Sequence, residues 1–481
     1  MPRNSVQEWV SCFKCFATDG KVVFCSVCNK QVTATRKFLL EQHVKSAMHV
    51  NRSKKAKPLN QKLLTNLNFE DATQKVFCQD LCEAMVAANI PWNKLEIPKF
   101  KSFLEKYMNR QIPSESTIRK GYLHGTYQKT IQKIRENIDE EYIWFAVDET
   151  IDDVGRSVAN IIVGKLTDDY NTSHLLASKV LEKCNNSTIA RFVNESLHIL
   201  WPNGIKEERV LIMYSDAAPY MLKAARALQI FYPSLLHFTC MAHGFHRIAE
   251  HIRSMSAEVD RIISTVKKVF LKSPLRVEAY KNACNLPLPP QPVLTRWGTW
   301  LNAALFYADN FSTIKEIIDS FDNKDSSYIK AAQEAMSENN VIAKLAYIKT
   351  HFSNLPEVIK KLEGSGTPLV DSFQIISCFC EQLYAAPGQL ATTAAEKMRN
   401  VLKKNPAFEI FDAIRKILEG TSTTVPTVIK PEIISKFKFA PVTSCDVERS
   451  FSSYKNILCD NRHRLKPENI EKLLTVYCNK L

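Results

Sequence analysis

Four cysteine and histidine residues in the N-terminal segment have the spacing of a zinc site. Cys25 and Cys28 are separated by two residues, His43 follows after fourteen more, and His49 after a further five. Two thiolates and two imidazoles satisfy the tetrahedral coordination of Zn²⁺, with a tight cysteine turn and the two imidazoles on successive helix turns. The pattern therefore predicts a structural Zn²⁺ held by these four residues.

Other residues of this segment support the zinc site or form an incomplete motif. We expect Phe24, Phe38 and Leu39 to supply the small apolar core that the metal alone cannot provide. Cys12 and Cys15 repeat the Cys-x2-Cys spacing without matching histidines nearby. A structural role is therefore favoured for this second pair over metal binding.

The surrounding segment is strongly basic, with eleven Lys or Arg against three Asp or Glu in residues 1–58. Zinc alone does not separate DNA-binding fingers from protein-binding ones, but the excess of cations favours contacts with phosphates. The candidates for these contacts are Lys30, Arg36, Lys37, Lys45, Arg52, Lys54 and Lys55. The last two also fit a nuclear address or a solvated hinge.

Two aspartates follow apolar runs that predict buried strands. Asp148 follows "YIWFAV", residues 142–147, and Asp216 follows "VLIMYS", residues 210–215. Chemistry in an open α/β sheet collects where strands end and loops begin. Either aspartate alone fits a helix cap or a turn, but two neighbouring strand ends would bring their carboxylates together.

Carboxylates held close together repel each other, so they either protonate or bind a cation. Two divalent ions about 4 Å apart can activate the attacking oxygen and stabilise the leaving oxygen in phosphoryl transfer. Such a site needs a third carboxylate. Glu448, in "TSCDVERSFS" on a predicted amphipathic helix, is the candidate. The alternative is that Glu448 is an ordinary solvated side chain.

The elements that must position these acids follow from the hydrophobic pattern. The predicted strands are 142–147, 158–166, 174–181 and 210–215, with helices at 187–200 and 218–228. Strand–strand–strand–helix–strand–helix is the order of a mixed α/β sheet. The segments on either side, 70–135 and 258–435, are predicted to be mostly helical. The end of the chain predicts two further helices, and Val447, Phe451, Tyr454 and Leu458 form the apolar stripe of the first.

Length and composition limit the classes of protein that fit. The chain has 481 residues, which is enough for two to four domains. Its content of 45% hydrophobic and 24% charged residues argues against long disordered tracts. The net charge of +14 favours an anionic partner such as nucleic acid. Neither a secretory h-region nor an apolar run of 18 residues is visible, so no membrane partner is expected. Scattered cysteines then indicate a reducing compartment.

Several motifs, taken in order, resemble those of the hAT superfamily of DNA transposases. They are "FAVDET", "MYSDAAPYM", "CMAH", "TRWGTW" and "SCDVERSFSSYKNIL" with "RHRL" after it. The N-terminal part, including "FCSVCNK" and "IPSESTIRKGYL", resembles the CGG triplet repeat-binding proteins, which are small nuclear DNA-binding proteins. The resemblance spans almost the whole chain, and its "ERSFS" block is the most specific part.

Carried onto this chain, the resemblance implies a DDE triad of Asp148, Asp216 and Glu448 that holds Mg²⁺ or Mn²⁺. Cys240 and His243 match a CxxH motif that lies beside the active site in this superfamily. Zinc binding by this pair is a competing interpretation, and the lack of a second pair of ligands argues against it.

The resemblance also implies contacts with DNA and with a second copy of the chain. Trp297, in "TRWGTW", matches a tryptophan that stacks on a flipped base near the cleavage point, with a core tryptophan as the alternative. Arg296 would pair with a phosphate. The stripe of Val447, Phe451, Tyr454 and Leu458 would serve intertwined dimerisation, or it would pack against its own sheet, and the two are compatible.

The fold implied is α/β, with an RNase H-like mixed sheet core that is interrupted by an all-helical insertion. A BED-like zinc finger and a small helical domain would precede the core. The implied division is a zinc finger with basic linker at 1–58, a helical DNA-binding or dimerisation region at 59–137, the first part of the core at 138–257, the helical insertion at 258–435 and the last part of the core at 436–481.

The sequence therefore predicts a nuclear hAT-type transposase, a homo-dimer or larger homo-oligomer that cuts double-stranded DNA at transposon terminal repeats and joins it to target DNA. Its cofactors would be structural Zn²⁺ and catalytic Mg²⁺ or Mn²⁺. The alternative is a domesticated, catalytically silent DNA-binding regulator of transcription, and a weaker alternative is a protein-interaction scaffold. A complete carboxylate triad favours the nuclease, because a regulator has no physical need for it.

Overall fold

The protein folds into two compact units, Met1–Val76 and Phe77–Leu481. The structure is a computed structural model that describes residues 3–19, 22–55, 64–170, 172–293, 298–458 and 465–479, with side chains described except at 3–5, 54–55 and 64–71. Arg296 and Trp297 lie outside the described residues. The five-part division expected from the sequence stays a prediction.

The first unit contains a small antiparallel sheet and short helices. Its elements are α1 Arg3–Ser11, β1 Phe16–Thr18, β2 Val23–Cys25, β3 Lys30–Val32, α2 Lys37–Lys45 and α3 Ala47–Lys55, and α4 Leu64–Ala87 spans the boundary with the second unit. The strand order is β1-β2-β3.

The core of this unit differs from the one expected. It consists of Val10, Phe16, Val23, Cys25, Cys28 and Leu40. The side chains of Phe24 and Phe38 are 42% and 65% exposed. Val23 and Cys25 face the core, so strand alternation turns Phe24 outward. On α2, the buried position is Leu40, while Leu39 is only half-buried.

The second unit is built on a five-stranded mixed sheet. Its strands are β4 Tyr142–Ile151, β5 Ser157–Leu166, β6 His174–Leu181, β7 Val210–Ser215 and β8 Leu236–Thr239, in the order β6-β5-β4-β7-β8. The pairs β6–β5 and β5–β4 are antiparallel, and the pairs β4–β7 and β7–β8 are parallel. The four predicted strands are confirmed, and the four-residue β8 was not predicted.

Helices surround this sheet and continue beyond it. They are α5 Pro98–Met108, α6 Glu115–Gly121, α7 Leu123–Ile138, α8 Asn186–Leu200, α9 Pro219–Phe231, α10 Met241–Ser254, α11 Ala257–Phe270, α12 Pro274–Ala283, α13 Thr299–Asp319, α14 Ser327–Met336, α15 Val341–Phe352, α16 Leu355–Leu362, α17 Leu369–Ala385, α18 Gln389–Lys404, α19 Phe408–Leu418, α20 Cys445–Ile457 and α21 Pro467–Cys478. The described part of 258–435 is helical and contains no strand, as predicted. None of the described helices has the length and apolar character needed to cross a membrane.

A glycine in β5 makes room for a large aromatic side chain in the middle of the sheet. Gly164 lies opposite Trp144 in the β4–β5 register. A Cβ atom at Gly164 would overlap the indole ring of Trp144. That ring packs edge-on against Tyr214 of β7, with 5.7 Å between the ring centroids. Because three strands share this contact, the indole cannot move without disturbing them.

We expect Gly164→Ala to lower the free energy of unfolding by about 1–3 kcal/mol, because the added methyl group overpacks the core. Urea denaturation followed by far-UV circular dichroism measures the change. Gly121→Ala is the matched control, because a Cβ there meets nothing within 4 Å. Equal stability of the two variants would contradict the packing argument.

Candidate functional site

A strand and two helices bring three potential metal ligands together in the second unit. Asp148, His243 and Glu448 each offer one ligand atom, and the three atoms lie within 4.8 Å of one another. His243 Nε2 is 3.4 Å from Glu448 Oε1. The two carboxylates are three hundred positions apart in the chain, so only the tertiary fold makes them neighbours.

Asp148 lies within a strand rather than after its end, contrary to the sequence expectation. The pairing of β4 with β5 continues past Asp148↔Asn160 to Ile151↔Ser157, because the two strands form a long hairpin. On the other side, the pairing of β4 with β7 ends at Ala146↔Tyr214. Strand β5 therefore holds the backbone of Asp148 on one side, and no described strand pairs with it on the side of β7.

His243 and Glu448 both lie in the first turn of a helix, on α10 and α20 respectively. The partial positive charge at the beginning of α20 favours the ionised form of Glu448. The beginnings of the two helices are joined, because the Met241 N–H donates to Val442 O at 3.0 Å. In addition, the Ser444 N–H donates to Cys240 Sγ at 3.2 Å.

Buried polar contacts fix α20 against the β4–β5 hairpin. Asn160 Nδ2 of β5 donates to Ser450 Oγ at 2.7 Å. The Tyr454 hydroxyl donates to Asp152 Oδ2 at 3.1 Å. These bonds fix the rotation of the helix, and that rotation directs Glu448 towards Asp148.

The charges of the three residues are strongly coupled. Burial and the nearby Glu448 raise the pKa of Asp148 well above its ordinary value. Burial opposes protonation of His243, but Cys240, Glu448 and Asp148 together raise the pKa of this imidazole to about 11. Burial by itself would raise the pKa of Glu448, but hydrogen bonds with His243 and Asp148 outweigh this effect and lower it. The cluster therefore retains protons at neutral pH, and a divalent cation would take their place.

Asp216 follows β7, as predicted, and is half-buried. Its Oδ1 accepts a hydrogen bond from Ala218 N at 3.0 Å. Within the described residues, the second group of closely spaced metal ligands contains Asp148, His243 and Glu448 but not Asp216. Asp216 instead acts electrostatically on Glu149 and Cys184. It therefore borders the group without belonging to it.

Glu149 is a fourth carboxylate that the sequence reasoning missed. Burial, Asp216 and Glu448 raise its pKa from 4.5 to about 7. The Tyr220 hydroxyl donates to its Oε1, while its Oε2 is buried without a hydrogen-bond partner among the described residues. Its position directly after Asp148 in "FAVDET" was the available signal. His243 was predicted only as a neighbour of the site, and the structure makes it a potential ligand.

The predicted zinc ligands come together in the first unit. Ligand atoms of Cys25, Cys28, His43 and His49 lie within 4.8 Å of one another. His49 Nδ1 is 3.4 Å from both sulfur atoms, close to the spacing of about 3.6 Å that tetrahedral zinc with ordinary Zn–S and Zn–N bonds requires. His43 Nε2 is buried and has no hydrogen-bond partner among the described residues. The donor set therefore fits a tetrahedral metal ion.

The two histidines lie on separate helices, contrary to the expected successive turns of one helix. His43 is on α2 and His49 on α3, and Ser46 between them has extended backbone angles. Six positions along one straight helix rotate a side chain by about 240°. One continuous helix would therefore direct the two imidazoles to different faces, and the break at Ser46 lets them converge.

Some of the basic side chains predicted to contact DNA phosphates are exposed in the described residues, and one of them is already used within the protein. Lys37, Lys45 and Arg52 are exposed. Arg52, however, donates from Nη1 to the carbonyl oxygen of Cys28 and so supports the cysteine turn. The side chains of Lys54 and Lys55 lie outside the described residues.

The apolar stripe of α20 packs inside its own chain. Val447, Phe451 and Tyr454 are buried, and the helix contacts β4 and β5. Leu458 is half-buried and lies one residue beyond the end of α20. This packing is the alternative that the sequence left open, and the dimerisation role of the stripe stays a prediction.

Neutralising Glu149 should stabilise the protein when no divalent cation is present. Folding raises the pKa of this acid from 4.5 to about 7, so its ionisation lowers the free energy of unfolding as pH rises through this range. We expect Glu149→Gln to raise Tm by roughly 1–3 °C at pH 8, and to lose this advantage near pH 5. Calorimetry in buffer without added Mg²⁺ measures both values.

Glu182→Gln is the matched control, because Glu182 is exposed. A Tm difference between Glu149→Gln and wild type that is the same at pH 5 and pH 8 would contradict the electrostatic origin of the effect.

Removing metal should unfold the first unit locally. A chelator should increase hydrogen exchange in residues 22–55, because its small core includes two of the candidate ligands. The second unit should be little changed. Cys25→Ser should abolish binding of one Zn²⁺ per chain, as measured by elemental analysis. Cys12→Ser, at an exposed position, should leave it intact, and loss of zinc in this variant would argue against the assigned ligand set.

Comparison with known proteins gives matches to three families. Residues 69–124 match the CGGBP1 helical domain, residues 113–269 match a domain of unknown function (DUF659), and residues 434–479 match the hAT family C-terminal dimerisation region. CGG triplet repeat-binding protein 1 of Homo sapiens is 31% identical over 126 residues, which cover 24% of this chain and 74% of that protein. The Mus musculus protein is 30% identical over 125 residues, with the same coverage.

These matches bear on two parts of the chain, the transposase domains and the N-terminal region. The matches to DUF659 and to the hAT C-terminal dimerisation region indicate a hAT-family transposase. Its N-terminal region is related to CGG triplet repeat-binding protein 1. The resemblance identified from the sequence motifs is confirmed, and these domains support a transposase-type function.

Proposed function

We propose that this protein is a metal-dependent DNA nuclease and strand transferase that acts at transposon ends. The observation that carries the proposal is the convergence of Asp148 and Glu448, with His243, in one cluster of potential ligands. Acids this close repel each other and cost stability, and a divalent cation bound between them would offset that repulsion. Asp148, Asp216 and Glu448 are the proposed DDE triad, with Mg²⁺ or Mn²⁺ as the cofactor.

The topology of the sheet supports an RNase H-like core. Three antiparallel strands come first in the chain, followed by two strands parallel to β4, in the order β6-β5-β4-β7-β8. Asp148 lies on the central strand, Asp216 follows its parallel neighbour, and Glu448 is supplied by α20 after the helical segment. We accordingly assign the core to 138–257 and 436–481, the helical insertion to 258–435, the helical region to 59–137, and a BED-like zinc finger to 1–58.

Each residue of the site has a distinct chemical role in this proposal. When bound, the divalent ions would activate an attacking oxygen and stabilise the leaving oxygen of a phosphodiester. Asp148 and Glu448 supply negative charge at a fixed separation, and Asp216 completes the set from the β7 side. His243, beside Glu448, would offer a neutral imidazole as a further ligand once the cation has displaced its proton.

Contacts with DNA and with a second copy complete the proposal. The zinc finger, with Lys37, Lys45, Lys54 and Lys55, would bind phosphates, and Arg52 would contribute through its exposed surface. In the segment outside the described residues, Arg296 would pair with a phosphate and Trp297 would stack on a flipped base. The match of residues 434–479 to a dimerisation region supports a homo-dimer or larger assembly. The proposed location is the nucleus.

Cleavage of DNA by purified full-length protein tests the proposal. We expect Mn²⁺-dependent cutting of a duplex that carries the terminal repeats flanking the coding sequence, and little cutting of a scrambled duplex of equal length. Asp148→Asn and Glu448→Gln should reduce the rate by about 100-fold or more, because each removes a metal ligand. Asp168→Asn is the matched control at an exposed position, and gel analysis of end-labelled DNA gives the rates.

If wild type and Asp148→Asn bind the duplex equally and neither cuts it, the protein is a catalytically silent DNA-binding regulator. The salt dependence of binding separates a third function. Affinity for DNA should fall steeply between 50 and 200 mM salt (roughly tenfold or more) if lysines contact phosphates. Affinity that is independent of salt would favour a protein-interaction scaffold.

A further inference from the structure

Two buried cysteines contact each other where α10 and α20 begin. Cys240 immediately precedes α10, and Cys445 is the first residue of α20. The side chains are 3% and 5% exposed and form a small cluster with Ala242. Packing in this cluster brings the two side chains into contact. Neither the proposed triad nor the zinc finger uses this pair.

The pair is placed symmetrically with respect to the candidate metal site. Cys240 lies three residues before His243, and Cys445 lies three residues before Glu448. Three residues are about one helical turn, so each thiol lies at the base of the turn that carries a candidate ligand. Because a helix turn is stiff, a displacement at either cysteine is transmitted to the ligand above it.

A small cavity gives access to one of the two thiols. Cys445 lines a cavity of about 50 Å³ together with Val442, Thr443, Asp446 and other residues. This volume accommodates a few water-sized molecules. Hydrogen peroxide is of that size, whereas a protein disulfide or a glutathione molecule is not. Cys445 is therefore buried but within reach of a small oxidant.

We propose that Cys240 and Cys445 are positioning residues of the candidate metal site, and that a peroxide converts them to a disulfide that disables it. This inference rests on the proposed function of Asp148, His243 and Glu448. The Cys445 sulfur attacks one peroxide oxygen and forms a sulfenic acid, while its thiol proton goes to the other oxygen, which leaves as water. Cys240 then attacks the Cys445 sulfur and releases the second water. Two thiols and one hydrogen peroxide thus give one disulfide and two waters.

The disulfide would displace the candidate ligands by more than metal coordination tolerates. Sulfur atoms in non-bonded contact are about 3.5–4 Å apart, whereas a disulfide bond is about 2 Å long. Closing this gap draws the beginnings of the two helices together by on the order of 1 Å. Metal coordination tolerates only tenths of an ångström, so His243 and Glu448 would no longer fit the same cation as Asp148.

The first experiment uses wild-type full-length protein loaded with Zn²⁺. It is treated with hydrogen peroxide, and the non-reduced digest is analysed by mass spectrometry. We expect a peptide pair linked through Cys240 and Cys445, and a decrease of about tenfold or more in Mn²⁺ affinity by isothermal titration calorimetry. Dithiothreitol should restore the affinity, with the zinc content unchanged throughout.

Substitutions distinguish a positioning role from general damage by the oxidant. Cys445→Ser keeps a small polar side chain and Cys445→Val does not, so reduced-state Mn²⁺ affinity should fall further in the Val variant. Both variants should lose the response to peroxide. Cys380→Ser is the matched control, because Cys380 is a buried thiol on α17, and this variant should respond to peroxide as wild type does.

The possible outcomes separate this inference from the proposed function. If reduced wild type binds Mn²⁺ but no Cys240–Cys445 link forms, or the link forms without a change in affinity, the inference is overturned and the metal site remains. If reduced wild type binds no Mn²⁺, the proposed metal site itself fails, and the positioning role fails with it.

Discussion

The docking of α20 against the β4–β5 hairpin is the interaction on which the candidate site depends. Glu448 approaches Asp148 only because Val447, Phe451 and Tyr454 are buried on the same helix. Apolar burial supplies the free energy of this docking, while the Asn160–Ser450 hydrogen bond fixes the rotation of the helix. The acids themselves contribute repulsion, so the hydrophobic face of α20 must overcome the electrostatic cost of bringing them together.

That cost is concentrated in a small region. Asp148 and Glu149 both have raised pKa values, and the neighbouring acids contribute to each shift. A protein selected for stability alone would replace such residues by amides or apolar groups. Their coexistence with His243, at the beginnings of two helices, is consistent with the proposed site, in which a cation would replace protons. The first unit differs, because the thiols of Cys25 and Cys28, two of the candidate zinc ligands, belong to its apolar core.

Elements with long hydrophobic patterns could be predicted from the sequence, and features that depend on tertiary packing could not. The apolar runs that became β4, β5, β6 and β7 are long enough to predict strands, and two of them predict burial on both faces. The four-residue β8 has too short a pattern. In the finger, the ligand spacing predicted the cluster, but not the break between α2 and α3 or the burial of Leu40 in place of Phe38. Those two features depend on how the helices pack in three dimensions, which local periodicity does not record.

The sequence by itself determined the kinds of ligand, the resemblance to hAT transposases, and the strands that carry Asp148 and precede Asp216. Tertiary structure decided which of these residues become neighbours. It placed His243 beside Glu448, added Glu149 to the acids, and left Asp216 at the border of the group. The reason is that residue type and spacing encode chemistry and the buried face of each element, whereas the distance between side chains on separate elements is set by packing, which depends on the whole chain at once.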